Sequence, residues 1–422
     1  MMGPHEAREH YLSGKKIVVA GAGVAGLAFA IALRKLWPPS IEPPVIVIYD
    51  RDTKESSEGR EGYSLSLHGT DPDGGLYALK QLGLLDDIID LAIFRVLDQG
   101  RRPGGFTMWT HEFKPMISVR ARGTADIQTA SIRIARKDLR RVLVEAASAS
   151  AEIRWGTACT SVKQLDNGRL RIQLLSEELA ETDAECDILV AADGASSKIR
   201  ACLRPDDNLQ FAGSVQLAGV AKFEPTIPSP LDNSWGGVLT GTGASCFFSR
   251  VDERSLVWAL SILETAPRPK HDNRDPQQAQ EILCEVRELG KDIMEPFKTI
   301  LDATDPSTTA VLNAMDKQPF SNDMKSGPVI FIGDSNHAVS PFAGNGANLA
   351  LKDGWDLAEQ LCQSRNLDRA VATYDKRSLP RAVATLKSSH WRIKVGHATG
   401  LQYWMYRIFF TMVGSVMTLL GR

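Results

Sequence analysis

Short, almost unbroken apolar runs separated by helical patterns dominate the first fifty residues. Lys15-Lys16 lead into Ile17-Val18-Val19-Ala20, and Val45-Ile46-Val47-Ile48-Tyr49 repeats the type. Runs of this length, bounded by turn residues, describe strands buried on both faces, the habit of parallel sheets. Between them Ala25, Ala28, Phe29 and Ala32 mark the inner face of a helix, and Pro38-Pro39 cannot continue it. The same strand signature returns at 188–192 and 329–332. Helical spacing reappears at Leu139, Val142 and Leu143, at Ile282, Val286 and Leu289, and at Leu351, Trp355, Ala358 and Leu361. The middle of the chain reads differently. Runs at 214–223 and 246–262 are strand-like, Pro225, Pro228 and Pro230 break the region, and the polar stretch 272–280 is a loop before a helix. Alternation puts Ser214, Gln216 and Ala218 on one face of a strand and Val215, Leu217 and Gly219 on the other.

Each buried run ends in a turn with chemistry in it. The first ends in Gly21-Ala22-Gly23-Val24-Ala25-Gly26. Gly21 permits the tight turn, Gly23 lets a pyrophosphate approach the backbone, and Gly26 lets the next helix pack closely on the sheet. The start of that helix offers free N–H groups and a positive dipole end to an anion. Asp50 closes the second run, 24 residues after Gly26, where a dinucleotide fold places the acid that holds a ribose hydroxyl pair. An acid there suits the unphosphorylated adenosine ribose of FAD or NAD better than NADP. The third and fourth runs end in Asp193-Gly194 and Gly333-Asp334, the latter followed by Pro341-Phe342-Ala343-Gly344-Asn345-Gly346-Ala347-Asn348. Alone, Asp193-Gly194 reads equally well as a turn serving geometry only. Arg136 alone reads as a solvated residue on an amphipathic helix. His337 reads as a hydrogen-bonded histidine rather than a metal ligand or acid/base group, because no partner ligands accompany it.

Taken together these stretches resemble the single-component flavoprotein monooxygenases of the p-hydroxybenzoate hydroxylase fold, near their tetracycline-inactivating and fungal natural-product branches. The likeness covers most of 15–204 and 326–390, and 205–325 matches only loosely. It includes Asp50-Arg51, Gly62-Tyr63-Ser64-Leu65-Ser66-Leu67-His68, Arg136-Lys137-Asp138-Leu139-Arg140, residues 187–200 and residues 333–348. Asn345 stands where the family usually has Gln, a conservative departure, and Ser335-Asn336 stand where it has Ala-Ala, a departure that mildly affects packing near the flavin. The resemblance implies an α/β fold, a Rossmann-like FAD-binding domain with an inserted, mainly β substrate domain and a C-terminal helical region. It implies FAD held by Gly21, Gly23, Gly26, Asp50, Arg51, Gly62, Arg136, Asp193, Gly194, Asp334, Pro341, Gly344, Gly346, Ala347 and Asn348. Ser197 and Arg200 stand at the helix start beside Asp193, Asp334 takes the ribityl chain, and Arg60 is a weaker candidate for an NADPH phosphate. The implied reaction uses NADPH as co-substrate and molecular oxygen to insert one oxygen atom into a small cyclic or aromatic molecule. No nucleophilic triad is present and the reaction needs none. Gln216, the largest polar group on its strand face, is the candidate for orienting the substrate.

Since the turns must converge on one ligand, the cofactor domain is discontinuous. The expected division is 1–204 and 326–395 for FAD, 205–325 for the substrate sheet and 396–422 for an apolar C-terminal helix. Only one complete GxGxxG is present, for Gly241-Thr242-Gly243-Ala244-Ser245-Cys246 lacks the third glycine. This disfavours enzymes with two dinucleotide domains and favours transient NADPH docking on the FAD domain. The halogenase signature Trp-x-Trp-x-Ile-Pro is also missing. Two rivals remain: a flavin-dependent reductase or dehydrogenase on the same fold, and a flavoprotein that only sequesters a ligand.

Composition narrows the setting. The 422 residues carry 49 basic against 51 acidic side chains, a net of −2, with no basic stripe that would fit nucleic acid. Six cysteines show neither CxxC nor zinc spacing, which suits a reducing compartment and hence the cytoplasm; no metal site is expected. The first ten residues lack the apolar core of a secretory signal. Residues 401–420 are long enough to span a bilayer. Arg407, Thr411, Ser415 and Thr418, however, form one polar stripe along a helix, which fits a packed or interfacial helix better than a lipid-exposed span. Membrane contact through this segment stays open at this stage.

Overall fold

The computed structural model describes residues 10–54, 63–93, 105–119, 123–127, 129–176, 178, 180–269 and 271–419. The first part of the chain runs β1 (Lys16–Ala20), α1 (Val24–Leu36), β2 (Val45–Tyr49), β3 (Ser64–His68), α2 (Gly75–Leu82), α3 (Leu85–Asp90), β4 (Phe106–Thr110), β5 (Pro115–Val119) and β6 (Ser131–Ala135). It continues with α4 (Arg136–Ser148), β7 (Glu152–Arg154), β8 (Thr157–Gln164), β9 (Leu170–Ser176), β10 (Glu181–Cys186), β11 (Ile188–Ala191) and α5 (Lys198–Leu203). The middle supplies β12 (Gln210–Lys222), β13 (Trp235–Leu239), β14 (Ala244–Arg250), β15 (Ser255–Leu263), α6 (Pro276–Leu289), α7 (Phe297–Asp302) and β16 (Thr304–Asp316). The last part gives β17 (Val329–Phe331), α8 (Asp334–His337), α9 (Gly346–Gln363), α10 (Leu367–Gly396) and α11 (Gly400–Leu419).

The four buried runs become neighbours in a parallel sheet of order β17-β11-β1-β2-β7. Side chains alternate across it. Ile17, Val19, Ile46 and Ile48 pack on Ala28, Phe29, Leu357 and Leu361 of α1 and α9. Val18, Ala20, Val47 and Tyr49 face the other way, onto Leu170, Ile172 and Leu174 of a three-stranded antiparallel sheet, β10-β9-β8. Burial on both faces explains why these strands read as continuous apolar runs. Helices α1 and α9 touch closely enough that a Cβ at Gly354 would lie 2.6 Å from the Phe29 nitrogen.

A second, seven-stranded sheet has the order β16-β12-β15-β14-β13-β4-β5. One face carries Val215, Leu217, Phe248, Trp258 and Leu260 against Ile282, Val286, Phe297 and Ile300 of α6 and α7. The alternation of β12 is therefore as its sequence reads, with Ser214, Gln216 and Ala218 on the opposite face. Two expectations change. The run 246–262 is a hairpin, β14 and β15, turning at 251–254, because Asp252 accepts from the N–H groups of Arg254 and Ser255 at 2.8 Å each and closes a turn. Residues 106–119, expected within the first FAD segment, belong to the second sheet, where β4 pairs with β13 in parallel register, Trp235 beside Phe106. Strand β3 pairs with β6 in a separate ribbon; Leu65, Leu67, Ile132 and Ile134 enter the first core, while Ser64, Ser66 and Arg133 face the second sheet.

The chain past 396 breaks at His397–Thr399 and then forms α11. Tyr403, Phe410 and Gly414 are its buried residues, packed near β5. A Cβ on Gly414 would lie 2.5 Å from the Met116 carbonyl, which measures how closely helix and strand approach. The stripe of Arg407, Thr411, Ser415 and Thr418 flanks this contact instead of forming it. Among the described residues no helix is long and apolar enough to cross a membrane.

Candidate active site

The carboxyl ends of β1, β2, β11 and β17 lie side by side, and every turn singled out in the sequence starts there. Each glycine of the first turn has its own steric reason. Gly21 has φ +107°, and a Cβ on it would lie 2.4 Å from the Ala192 carbonyl. A Cβ on Gly26 would lie 2.2 Å from the Gly21 carbonyl, so helix and turn could not both stay in place. Gly23 has only one neighbour, at 3.9 Å, and leaves the approach to the α1 N-terminus open. Gly23 is itself the N-cap and has no side chain to cap with, so the first N–H groups of α1 remain for an anion.

Asp50 is buried beside this turn. Its Oδ2 accepts from Ala22 N at 2.6 Å and its Oδ1 from Asp52 N at 2.9 Å. A carboxylate has about four acceptor sites, so capacity for ribose hydroxyls remains. Arg140, which the sequence reading left unassigned, stands 3.7 Å from Asp50, donates to the Ala22 carbonyl at 3.3 Å and lies over the Trp155 ring. Arg51 points away: its side chain is 69% exposed, with Asp52 at 4.0 Å. Gly62 and Arg60 lie outside the described residues.

Asp193 does structural and open work at once. Its Oδ2 accepts from the N–H groups of Lys198 and Ile199 at 2.8 and 3.2 Å, capping α5, while its Oδ1 is buried without a hydrogen bond. Burial pushes this carboxyl up, against those hydrogen bonds and one from Ser197. Ser197 caps the Arg200 N–H at 2.9 Å, and Arg200 donates to the carbonyls of Ala195 and Ser335, tying the Asp193-Gly194 turn to the Gly333-Asp334 turn. Gly194 has φ +82°, and a Cβ on it would meet nothing within 4 Å.

Asp334 is reachable by solvent yet hemmed in by protein, the signature of a group on a cleft floor. That surrounding raises its carboxyl above the ordinary range, against the pull of His337, Arg136 and Arg200. Arg136 opens α4 with its guanidinium 5.5 Å over the Tyr63 ring, so it and Asp334 face one cleft. Behind the floor lies a buried charge network. His337 Nε2 is 2.6 Å from Asp353 Oδ2, which also accepts from Gly333 N at 2.9 Å; Arg381 donates to Asp353 Oδ1 at 3.0 Å and forms an ion pair with Asp356 at 2.9 Å. Burial works against both charges, but the pairing prevails: His337 is raised and Asp353 is held well below the carboxylate range.

Residues 341–348 close the cleft. Pro341 starts a 3-10 turn, Gly344 ends it in the left-handed region at φ +58°, and Gly346 begins α9, whose first turn contains half-buried Ala347. Asn345 makes no cap, so this 18-residue helix also starts with its amides unanswered by a side chain. Asn348 acts inside the protein: Oδ1 accepts from His68 N and Gly75 N, and Nδ2 donates to the Ser66 carbonyl. Arg392 donates to the carbonyls of Phe342 and Ala343. Burial, then the Arg392 charge, pushes the His68 imidazole down from its ordinary value. Arg133 is buried and has no carboxylate partner among the described residues, donating to Ser64 O, Ser64 Oγ and Ser66 Oγ near the Phe247 ring.

The facing wall is the second sheet. The Oγ atoms of Ser64 and Ser249 bond at 3.1 Å across the two domains. Gln216 pairs with Ser261, whose Oγ bonds Ser245 Oγ at 3.0 Å and His397 Nε2 at 2.8 Å. His397 also meets the Phe342 ring edge-on at 5.9 Å, joining the sheet to the turn at 341–343. Gln216 is buried, yet its side chain forms no hydrogen bond among the described residues.

Residues 15–389 match the FAD binding domain family. The chain is 46% identical over 399 residues to the monooxygenase cfoF of Aspergillus candidus, covering 93% of this chain and 94% of that protein. The chain belongs to the FAD-dependent monooxygenase family. A more distant member, the FAD-dependent monooxygenase nscC of Trichophyton tonsurans, is 25% identical, with 82% and 85% covered. The fold is that of HpxO from Klebsiella pneumoniae, solved with FAD and uric acid: TM-score 0.74, 18% identity, 98% and 96% covered.

The cleft of this monooxygenase fits FAD. Two uncapped helix starts face it, Gly194 leaves an open cradle, Asp193 Oδ1 lacks a partner, and Asp334 stands accessible on the floor. Sequence reading missed Arg133, Arg140 and His397. Arg140 lies within the quoted 136–140 motif, so position could have flagged it. His397 is a lone histidine whose partner Ser261 is 136 residues away, and no local signal connects them.

Proposed function

We propose that this FAD monooxygenase takes electrons from NADPH and inserts one atom of O2 into a small cyclic or aromatic substrate, by hydroxylation or epoxidation, in secondary metabolism or xenobiotic modification. The bound flavin supplies the redox chemistry and oxygen activation. The observation that carries the substrate side is Gln216. Among the described residues its side chain has no hydrogen-bond partner, and its face of the sheet also carries Ala218, Ala259, Phe247 and paired serines. A mostly buried amide with no hydrogen bond to the described residues, set among small and apolar side chains, suits a hydrogen bond to a ligand entering from the cleft. His397 and Ser261 hold the adjoining stretch of sheet. One dinucleotide turn supports transient NADPH docking beside the FAD, and six free thiols support a cytoplasmic enzyme.

The test is a screen of cyclic and aromatic compounds for stimulated NADPH oxidation, followed by mass analysis of products made under isotopically labelled O2. One labelled oxygen per product molecule is expected. A reduced or desaturated product without label would make the protein a reductase or dehydrogenase instead. In the same assay Gln216→Ala should keep its FAD while product per NADPH falls and hydrogen peroxide rises. Unchanged coupling would remove Gln216 from the site.

A further inference from the structure

Helix α11 turns its most apolar side to solvent. Leu401, Trp404, Met405, Ile408, Phe409 and Met412 are between 53% and 78% exposed, and Val416 and Leu419 continue the line at 54% and 86%. At helical periodicity all eight fall in one arc opposite Tyr403, Phe410 and Gly414, which seat the helix on the protein. Over 20 residues the arc is about 30 Å long. A continuous apolar surface of that extent marks a contact site. No helix among the described residues is suited to crossing a bilayer, so the relevant geometry is lying on a surface.

Charge identifies the surface. From residue 376 to 422 the sequence has eight Lys and Arg and no Asp or Glu. Arg377, Arg381 and Arg392 are engaged by Glu359, by Asp353 and Asp356, and by the Phe342 and Ala343 carbonyls, whereas Lys387 and Lys394 are exposed on α10 on either side of Trp391, whose ring meets Phe410 of α11 at 6.5 Å. Glu112, in the turn between β4 and β5, is the carboxylate that Arg407 influences, and Lys114 already pairs it at 2.8 Å. Arg407 leaves the edge of the arc with its guanidinium 4.8 Å over the Trp404 ring, an apolar stem with a charged tip at the boundary. A two-fold pairing of α11 with a second copy would set this positive segment against itself.

We propose that α11 docks the enzyme peripherally on an anionic lipid surface, with the apolar arc entering the acyl boundary and the basic C-terminal segment meeting the headgroups. Docking does not depend on the substrate reading above. The experiment is co-sedimentation of the FAD-loaded full chain with phosphatidylcholine vesicles, with and without phosphatidylserine, at low and high salt. Binding is expected to the mixed vesicles, weakened by salt and by omission of phosphatidylserine. The double variant Ile408→Asp, Met412→Asp should bind at least about tenfold more weakly, with flavin content and hydrodynamic size unchanged. Quenching of fluorescence by brominated lipid should fall in Trp404→Phe. A parent chain that stays in the supernatant with both vesicle types overturns the proposal. So does a solution dimer that the double variant splits into monomers.

Discussion

Replacing Asp353 with asparagine should cost about 3–5 kcal/mol of stability, the usual result of removing one partner from a buried ion pair. Asp353 is fully buried and answers His337, Arg381, Ser378 and the Gly333 N–H. Asparagine keeps the shape but leaves two buried cationic groups with less charge to meet. Equilibrium urea unfolding of the FAD-loaded protein would measure it, and a loss below about 1 kcal/mol would mean that the network is not a stabilising pair. A pH signature accompanies the loss. His337 is raised above its ordinary 6.5, so its contribution is complete below that pH and disappears as pH rises through the folded value. Asp353 is held low, so its contribution is present above the ordinary 3.8 and is lost only as pH falls through the lower folded value. The parent should therefore lose thermal stability as pH rises from 6.5 through the folded value of His337, and Asp353→Asn should lack that decline.

Gly26→Ala should abolish tight FAD binding. The new methyl would stand 2.2 Å from the Gly21 carbonyl and 3.0 Å from Val19 Cγ1. Relief requires α1 to move away from the sheet, and with it the N–H groups that face the cleft. Overpacking of this type costs about 1–3 kcal/mol or more, which at about 1.4 kcal/mol per decade is roughly a five- to hundredfold or greater loss of affinity. Gly194→Ala is the control. It meets no atom within 4 Å and carries only the strain of φ +82°, about 1–2 kcal/mol. Flavin retained after dialysis should rank parent, Gly194→Ala, then Gly26→Ala. Equal retention by Gly26→Ala and parent would contradict the packing described for this turn.

The sequence was legible where the physics is local. Burial on both faces makes β1, β2, β11 and β17 continuous apolar runs, and alternation sorted Gln216 from Val215 and Leu217. What stayed hidden depends on distant pairing. Nothing within 106–119 says that β4 will join β13 more than a hundred residues later. Lys352, Asp353 and Asp356 look like a solvated helix face, yet all are buried because Arg381 and His337 arrive from other elements. Arg51 shows the converse: its neighbour Asp50 turns inward, while Arg51 itself faces solvent.

The crossing of β4 and β5 into the large sheet bears on how this protein can be recombined. A chimera that exchanged only 205–325 with a relative would break the seam between Trp235–Leu239 and Phe106–Thr110, where a Cβ on Gly236 would lie 1.7 Å from the Thr107 carbonyl. Two strand edges would be left without their evolved partners, and they would be exposed to mispairing. A viable graft must carry the hairpin at 105–119 along with the insertion. The large sheet of this enzyme is therefore inherited in two pieces of chain that have to match each other.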